Sequence, residues 1–539
     1  MSAFVVPEPK NEPVKAYAPG SPEKLSLKAT LKQLAQEVTE IPQWIGGERV
    51  KGTNFEIRAP HDHQKVVGRA YAGDASSVSR AIDAARAAKM DWGALPYADR
   101  AAVFLRAADL LAGPFRDRMN ATTMLGQSKT VFQAEIDAAC ELCDFWRFNA
   151  AFGQALEADQ PYSPPGQWNR TELRPLDGFV FAVSPFNFTS IAANLSTAPA
   201  LMGNTVVWKA APTQLLSAQV IVEILEAAGL PKGVINLVHG DPAIIGATAL
   251  ASPELAGLHF TGSTATFQHL WREIGSNIAR YRQYPRIVGE TGGKDFIFAH
   301  PSANVAALST AIIRGGYEYQ GQKCSAASRV YVPRSLAGKL KERLLPEIEG
   351  LKMGDPTDFS NFMGAVIDER AFTKISGYVA LGKGPGARIL AGGECDRSRG
   401  WFVRPTLIEV EDPKHRLMTE EIFGPVVTLW VYDDAKLEEA LALVDESTPY
   451  ALTGAVFAED RQVLAQLTER LRFAAGNFYL NDKPTGAVVG QQPFGGGRAS
   501  GTNDKAGSAA NLMRWASTRA LKETFVPPTD YRYPFMSEP

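Results

Sequence analysis

The octapeptide Tyr-Gln-Gly-Gln-Lys-Cys-Ser-Ala, residues 319–326, places a cysteine directly after a small, polar, glycine-containing turn. The stretch before it, Val305 to Tyr317, has helical patterning, so Cys324 reads as a thiol presented by a turn and suited to nucleophilic attack. A free thiol has a pKa of about 8.5, so near neutrality it needs a base or an electropositive site to become reactive. Glu290 lies upstream in Gly-Glu-Thr-Gly-Gly-Lys, residues 289–294. The glycines there let backbone approach closely, which makes Glu290 the natural carboxylate to serve the thiol. Taken alone, Cys324 also fits a second reading, that of a small hydrophobe packed in a core.

The elements around these residues read as two α/β units. At 539 residues with 45% hydrophobic side chains, the chain suits two or three domains rather than one core. From Gly178 onward, short apolar runs alternate with helical stretches: 179–182, 205–208, 234–238 and 258–261. A second set follows at 295–299, 330–332, 389–390, 426–431, 454–457 and 477–481. This is the pattern of doubly wound parallel sheets, with a junction near Glu290. Ahead of them, residues 22–41 read as an amphipathic helix and 43–57 as a glycine-turned hairpin. Asp74 suits the N-cap of a helix ending near Trp92, and residues 130–155 have a long helical pattern. Prolines and polar residues in 161–174 suggest an excursion from the body.

Composition excludes several functions. The net charge of −2 argues against nucleic acid or a membrane surface as partner. No apolar run approaches the roughly 18 residues needed to span a bilayer. The first 23 residues carry prolines and acids but no arginine, unlike a signal or transit peptide, so a cytoplasmic, bacterial-type protein is expected. A processed mitochondrial matrix chain would look the same. Four cysteines do not make a disulfide framework. Cys140 and Cys143 share one face of the helical pattern and read as packing, Cys395 as a loop residue, and His61 and His63 as a solvated turn. No metal site is expected.

Six motifs in order carry a resemblance. Ser-Pro-Phe-Asn-Phe (184–188), Val-Val-Trp-Lys (206–209), Phe-Thr-Gly-Ser (260–263), the Cys324 segment, Glu-Glu-Ile-Phe-Gly-Pro (420–425) and Pro-Phe-Gly-Gly (493–496) resemble the aldehyde dehydrogenase superfamily. Through Ala-Glu-Ile-Asp-Ala-Ala (134–139), Gly-Gln-Lys-Cys-Ser-Ala and Val-Gly-Gln-Gln-Pro-Phe-Gly-Gly, the chain is most similar to the 1-pyrroline-5-carboxylate dehydrogenases, also called glutamate semialdehyde dehydrogenases. The resemblance implies an aldehyde dehydrogenase-like fold of two doubly wound α/β domains plus a small arm. Residues 1–160 and 179–289 would form the Rossmann-type NAD-binding domain and 290–482 the catalytic domain. Residues 483–500 would be a substrate-anchor loop, and 161–178 with 501–539 an oligomerisation arm and tail, giving a homodimer or higher homo-oligomer.

The same resemblance implies site residues. Cys324 would be the nucleophile, Glu290 the base, and Asn187 with the Cys324 backbone N–H the oxyanion donors. NAD would meet Ser184, Lys209, Gly262, Ser263, Thr264, Glu421 and Phe423. Read without the resemblance, Lys209 and Glu421 could be plain solvated charges. Pro212 stands where many NAD-preferring relatives carry a glutamate against the adenosine ribose. For L-glutamate 5-semialdehyde, Gly486 and Ala487 would bind the carboxylate, Ser325 and Lys323 would lie nearby, and Glu141 would face the ammonium. Phe188 and Phe494 would clamp the methylenes. Alternatives are another aliphatic semialdehyde, such as succinate semialdehyde, and a catalytically silent scaffold on the same fold.

Overall fold

Along the first sheet, strands run in the order Arg286–Glu290, Leu255–Thr261, Phe179–Val183, Thr205–Lys209, Ile235–Val238, Gln43–Ile45 and Glu48–Val50. The first five are mutually parallel, and the Gln43–Val50 hairpin closes the far edge antiparallel. The coordinates are a computed structural model describing residues 5–537. Residues 1–4 of the expected NAD-binding domain and 538–539 of the expected tail lie outside the described residues.

The apolar runs form central strands because both faces are covered. Val180, Ala182, Val206 and Trp208 enter one hydrophobic cluster, while Phe179, Phe181 and Val207 enter the cluster on the opposite face. Register then brings the strand ends level: Val183 pairs with Lys209, and Thr261 with Glu290. Ser184, Lys209, Gly262 and Glu290 thus emerge along one carboxyl edge, the place where open α/β sheets hold ligands.

Five residues after Glu290, at Asp295, the second sheet begins. Its order is Ala387–Ala391, Thr406–Val410, Val426–Tyr432, Ala327–Pro333, Asp295–Ala299, Thr453–Phe457 and Asn477–Leu480, with only the first strand antiparallel to its neighbour. Phe296 and Phe298 face one cluster, and Ile297 and Ala299 the other.

Several local expectations need correction. The first helix covers Pro22–Leu34, and the chain then turns into strand Thr39–Ile41 instead of continuing as helix. Residues 130–155 do not form one regular helix: a π-helical segment, Glu135–Glu141, separates Val131–Ala134 from Leu142–Ala158. Widening the turn lets Glu135 and Asp137 both point into the protein, where each is buried. His61 is buried, not solvated, because its turn docks on the second α/β unit: Trp401 N donates to the Pro60 carbonyl at 3.0 Å, and His63 N to that of Arg399 at 2.9 Å. Asp74 caps helix Ala75–Ala94 through a capping box, as its sequence suggests.

The 161–174 excursion contains strand Gln167–Pro175, which pairs antiparallel along its whole length with Ala516–Thr524. This ribbon joins neither large sheet.

Candidate active site

Cys324 sits behind three consecutive left-handed residues, Tyr319, Gln320 and Gly321, with φ of 51°, 55° and 62°. Two non-glycine residues in that region are costly and persist only where neighbours hold them. Gln320 Nε2 donates to the carbonyls of Ser128 (3.0 Å) and Ala365 (2.7 Å), and its Oε1 accepts from Gly364 N at 3.1 Å. Gln322 Oε1 accepts from Ile367 N at 2.9 Å. At Gly321 a Cβ would strike the Gly424 carbonyl, so a side chain there would open the turn.

The thiol is enclosed rather than presented, at 9% exposure. Burial first, then the charges of Asp295, Glu290 and Glu421, push its pKa well up, so the resting group is a neutral thiol. Asn187, also buried, donates from Nδ2 to the Gln322 carbonyl at 3.1 Å. That bond fixes the amide two residues from the nucleophile and leaves its second N–H available.

Glu290 ends its strand in a crevice made by glycines. Its Oε2 accepts from Gly496 N at 3.2 Å, and a Cβ at Gly495 or Gly501 would crowd the carboxylate. Burial holds its pKa well above the usual range, against the pull of the Gly496 N–H and of Lys505. A carboxylate so placed is a strong proton acceptor.

The cofactor expectations meet on the carboxyl edge. Ser184 Oγ accepts from Trp208 Nε1 at 2.9 Å, which ties the turn carrying Asn187 to the strand carrying Lys209. Lys209 is buried, and burial without an acid at hand pushes its ammonium down to about 8. Such a cation suits ligand hydroxyls. Ser263 caps helix Thr264–Ser276, whose free N–H groups suit a pyrophosphate. Thr264, its first residue, lies at the rim of a cleft of about 780 Å³ that also touches Gly501 and Thr502 but does not reach Cys324. Glu421 Oε1 accepts from Gly293 N at 3.0 Å, and a Cβ on Gly292 would occupy the carboxylate's place. Phe423, at φ 62°, turns its ring edge-on to Phe186 at 5.9 Å. Together the uncompensated lysine, the capped helix start and the glycine cradle around Glu421 fit a dinucleotide.

The expected substrate residues divide into two groups. Ser325 shares a 2.7 Å hydrogen bond with the Thr485 hydroxyl, and Gly486 follows with φ 95° before half-buried Ala487. Phe494 pairs with Ala506 through two backbone hydrogen bonds of 3.0 and 2.8 Å. Lys323 is buried, 3.5 Å from Glu318, so an acid of its own turn already engages it. Glu141 accepts from Ser190 Oγ at 2.8 Å at the start of helix Thr189–Leu201, next to Phe188.

These contacts match a known family. A sequence model of the aldehyde dehydrogenase family fits residues 44–521. The chain belongs to the aldehyde dehydrogenase family. Mouse mitochondrial delta-1-pyrroline-5-carboxylate dehydrogenase is 50% identical over 529 residues, spanning 98% of this chain and 94% of that protein. The Dictyostelium discoideum enzyme of that name is 48% identical, spanning 99% and 97%. Among solved structures, delta-pyrroline-5-carboxylate dehydrogenase from Mycobacterium tuberculosis bound with NAD superposes with a TM-score of 0.96 at 55% identity, over all of both chains. A Thermus 1-pyrroline-5-carboxylate dehydrogenase with bound NAD gives 0.91 at 31%, over 97% and 100%.

Some supports of this aldehyde dehydrogenase site were not evident from sequence. Lys129 lies buried 2.6 Å from Asp137, with its ammonium over the rings of Phe188 (4.5 Å) and Tyr319 (4.4 Å). Asp137 in turn accepts from the backbone N–H groups of Thr189 and Ser190, each at 3.0 Å. A single ion pair therefore braces the Asn187 turn against the Cys324 turn. The only hint in the sequence is an acid recurring in a helix that turns out to be π-widened.

Proposed function

We propose that the protein oxidises L-glutamate 5-semialdehyde, the open form of 1-pyrroline-5-carboxylate, to L-glutamate with NAD. The observation that carries this reading is near-full-length identity of about one residue in two with enzymes named for that dehydrogenase. Converging Cys324, Glu290 and Asn187 support it, and they count against a silent scaffold.

In this reading, Cys324 Sγ attacks the aldehyde carbon while the thiol proton passes to Glu290, directly or through water. The oxyanion accepts hydrogen bonds from Asn187 Nδ2 and the Cys324 N–H, a type of donor worth about 3 kcal/mol apiece in the barrier. Bound NAD supplies the hydride acceptor. Lys209, Glu421 and the helix start at Ser263 hold it. Glu290 gives that first proton up to solvent, a thioester on Cys324 remains, and Glu290 then takes a proton from the water that attacks it. The C–S bond breaks, glutamate leaves and the Cys324 thiolate takes the proton back from Glu290, which restores the thiol. Gly486 and Ala487 hold the substrate carboxylate, Glu141 the ammonium, and the rings of Phe188 and Phe494 the methylenes. The missing acid at Pro212 leaves the ribose hydroxyls to Lys209.

NADH formation from L-glutamate 5-semialdehyde and from succinate semialdehyde, measured side by side, tests the assignment. Higher kcat/KM for the amino acid substrate is expected, and equal values would defeat it.

We further infer a homo-oligomer, a dimer or larger. The ribbon formed by Gln167–Pro175 and Ala516–Thr524 has no third strand beside it among the described residues and leaves Trp168 about half exposed, an arrangement that a second subunit would cover. Deleting residues 516–537 should lower the mass found by light scattering. The workplace follows from the supply of NAD and semialdehyde, in the cytoplasm or the mitochondrial matrix, and cell fractionation tests it. No helix of the described residues is long and apolar enough to cross a membrane.

A further inference from the structure

Before its first helix the chain runs without regular secondary structure from Val5 to Gly20. Buried groups nevertheless hold this strap firmly. Val6 N donates to Gln154 Oε1 at 2.8 Å. The Glu12 carboxylate pairs with Arg116 (2.5 Å) and Arg147 (2.7 Å), and Arg116 also donates to the Pro13 carbonyl at 2.8 Å. Further along, Lys15 N and the Tyr17 hydroxyl each donate to buried Glu135 at 2.8 Å. These anchors flank Asn11 and do not depend on it.

Asn11 itself reaches two other elements. Its Nδ2 donates to Asp144 Oδ2 on helix Leu142–Ala158 and to the Val489 carbonyl, both at 2.8 Å. Its Oδ1 accepts from Gln491 Nε2 at 2.9 Å. Val489 and Gln491 end the loop that starts at Thr485, whose hydroxyl is bound to Ser325 beside the nucleophile. Between these two pins lie Gly486 and Ala487. The far pin is also the tight one: Val489 is buried, and at Gly490 a Cβ would overlap the Phe148 ring, so backbone lies directly on the helix.

We propose that Asn11 is a positioning residue for the substrate carboxylate: through Val489 and Gln491 it fixes the height and tilt of the Gly486–Ala487 peptide over the Cys324 pocket. This rests on the reading of that loop as the carboxylate's binding site. Two backbone N–H groups can grip a carboxylate only if the peptide plane is held, and a loop with glycines at both ends does not hold itself. An amide that donates to a helix carboxylate and a loop carbonyl while accepting from a loop side chain performs that task. Neither Ala nor Asp at position 11 would reproduce it.

The test compares an aldehyde that has the amino acid head with one that lacks it, propanal, in the full-length enzyme. Asn11→Ala should raise KM for L-glutamate 5-semialdehyde by about tenfold with little change in kcat, as expected for lost binding common to ground and transition state. KM for NAD and kcat/KM for propanal should stay within about twofold. Gln491→Ala, at an exposed residue, removes one of the two loop bonds and should raise the same KM by about threefold. It also serves if Asn11→Ala fails to fold. Unchanged KM for the semialdehyde in the folded variants, or equal losses with both aldehydes, would overturn the role of Asn11. A wild-type enzyme that does not prefer the semialdehyde to propanal would overturn the loop reading first and this inference with it.

Discussion

The hydroxyls of Ser325 and Thr485 lie 2.7 Å apart, joining the residue after the nucleophile to the residue before Gly486. On the proposed function, chemistry and substrate recognition share one rigid connection, since Thr453 also bonds to the Ser325 carbonyl at 3.4 Å. Thr485→Val keeps the shape and removes this bond. KM for the amino acid semialdehyde is expected to rise by about fivefold, the cost of one buried hydrogen bond, with NAD binding unaffected. Steady-state kinetics in both substrates checks this.

Asn187→Ala should lower kcat by about 100- to 1,000-fold, since an oxyanion donor acts mainly in the transition state. KM for NAD should hold, because the amide bonds to Gln322 rather than to the cofactor edge. A loss confined to KM would instead make Asn187 a ground-state contact.

Glu290→Gln retains the hydrogen bond from Gly496 yet cannot accept a proton. Steady-state turnover should fall by roughly 100- to 10,000-fold. Rapid mixing separates the two uses of the carboxylate. A burst of NADH with a thioester trapped on Cys324, seen by intact-protein mass spectrometry, is expected if water activation is the step most dependent on it. The absence of any burst would show that thiol deprotonation depends on it as strongly.

Gly292→Ala would place a methyl where the Glu421 carboxylate now lies. The carboxylate would swing away from Gly293, and KM for NAD should rise by about tenfold while KM for the aldehyde changes little. Titration of NAD by protein fluorescence gives the same comparison without turnover.

Much of this was legible in the sequence because central strands are continuous apolar runs and because the reactive residues stand at their ends. Phe179–Val183, Thr205–Lys209 and Asp295–Ala299 all appear where the patterning places them. What the sequence did not carry is whatever depends on partners distant in the chain. His61 is hidden by a loop more than 300 residues away, and Asn11 gains its meaning only from Val489 and Gln491. Helical spacing could not distinguish the π-turned Glu135–Glu141 from an ordinary helix, since one extra residue in a turn leaves the apolar count unchanged.

The proposed role of Glu141 predicts a defined response to pH. Burial first, and then the charge of Asp137, push its carboxyl up to about 8, while the Ser190 hydroxyl and Lys129 draw it down. At pH 7 the free enzyme therefore holds Glu141 mostly protonated, and an arriving ammonium favours the ionised form. Binding of L-glutamate should release a proton. Its affinity should climb by about tenfold per pH unit below 8 and level off above, a slope that Glu141→Gln should remove. Stability runs the other way. An acid whose folded pKa is raised keeps its proton after the unfolded chain has lost it, so its contribution declines between the ordinary carboxyl value of 4.5 and about 8 and is flat beyond. Glu141→Gln should flatten that decline. Calorimetry of glutamate binding in buffers of different ionisation enthalpy counts the proton directly. A binding curve with no proton release at pH 7, from an enzyme that still prefers the amino acid substrate, would place the ammonium on another group.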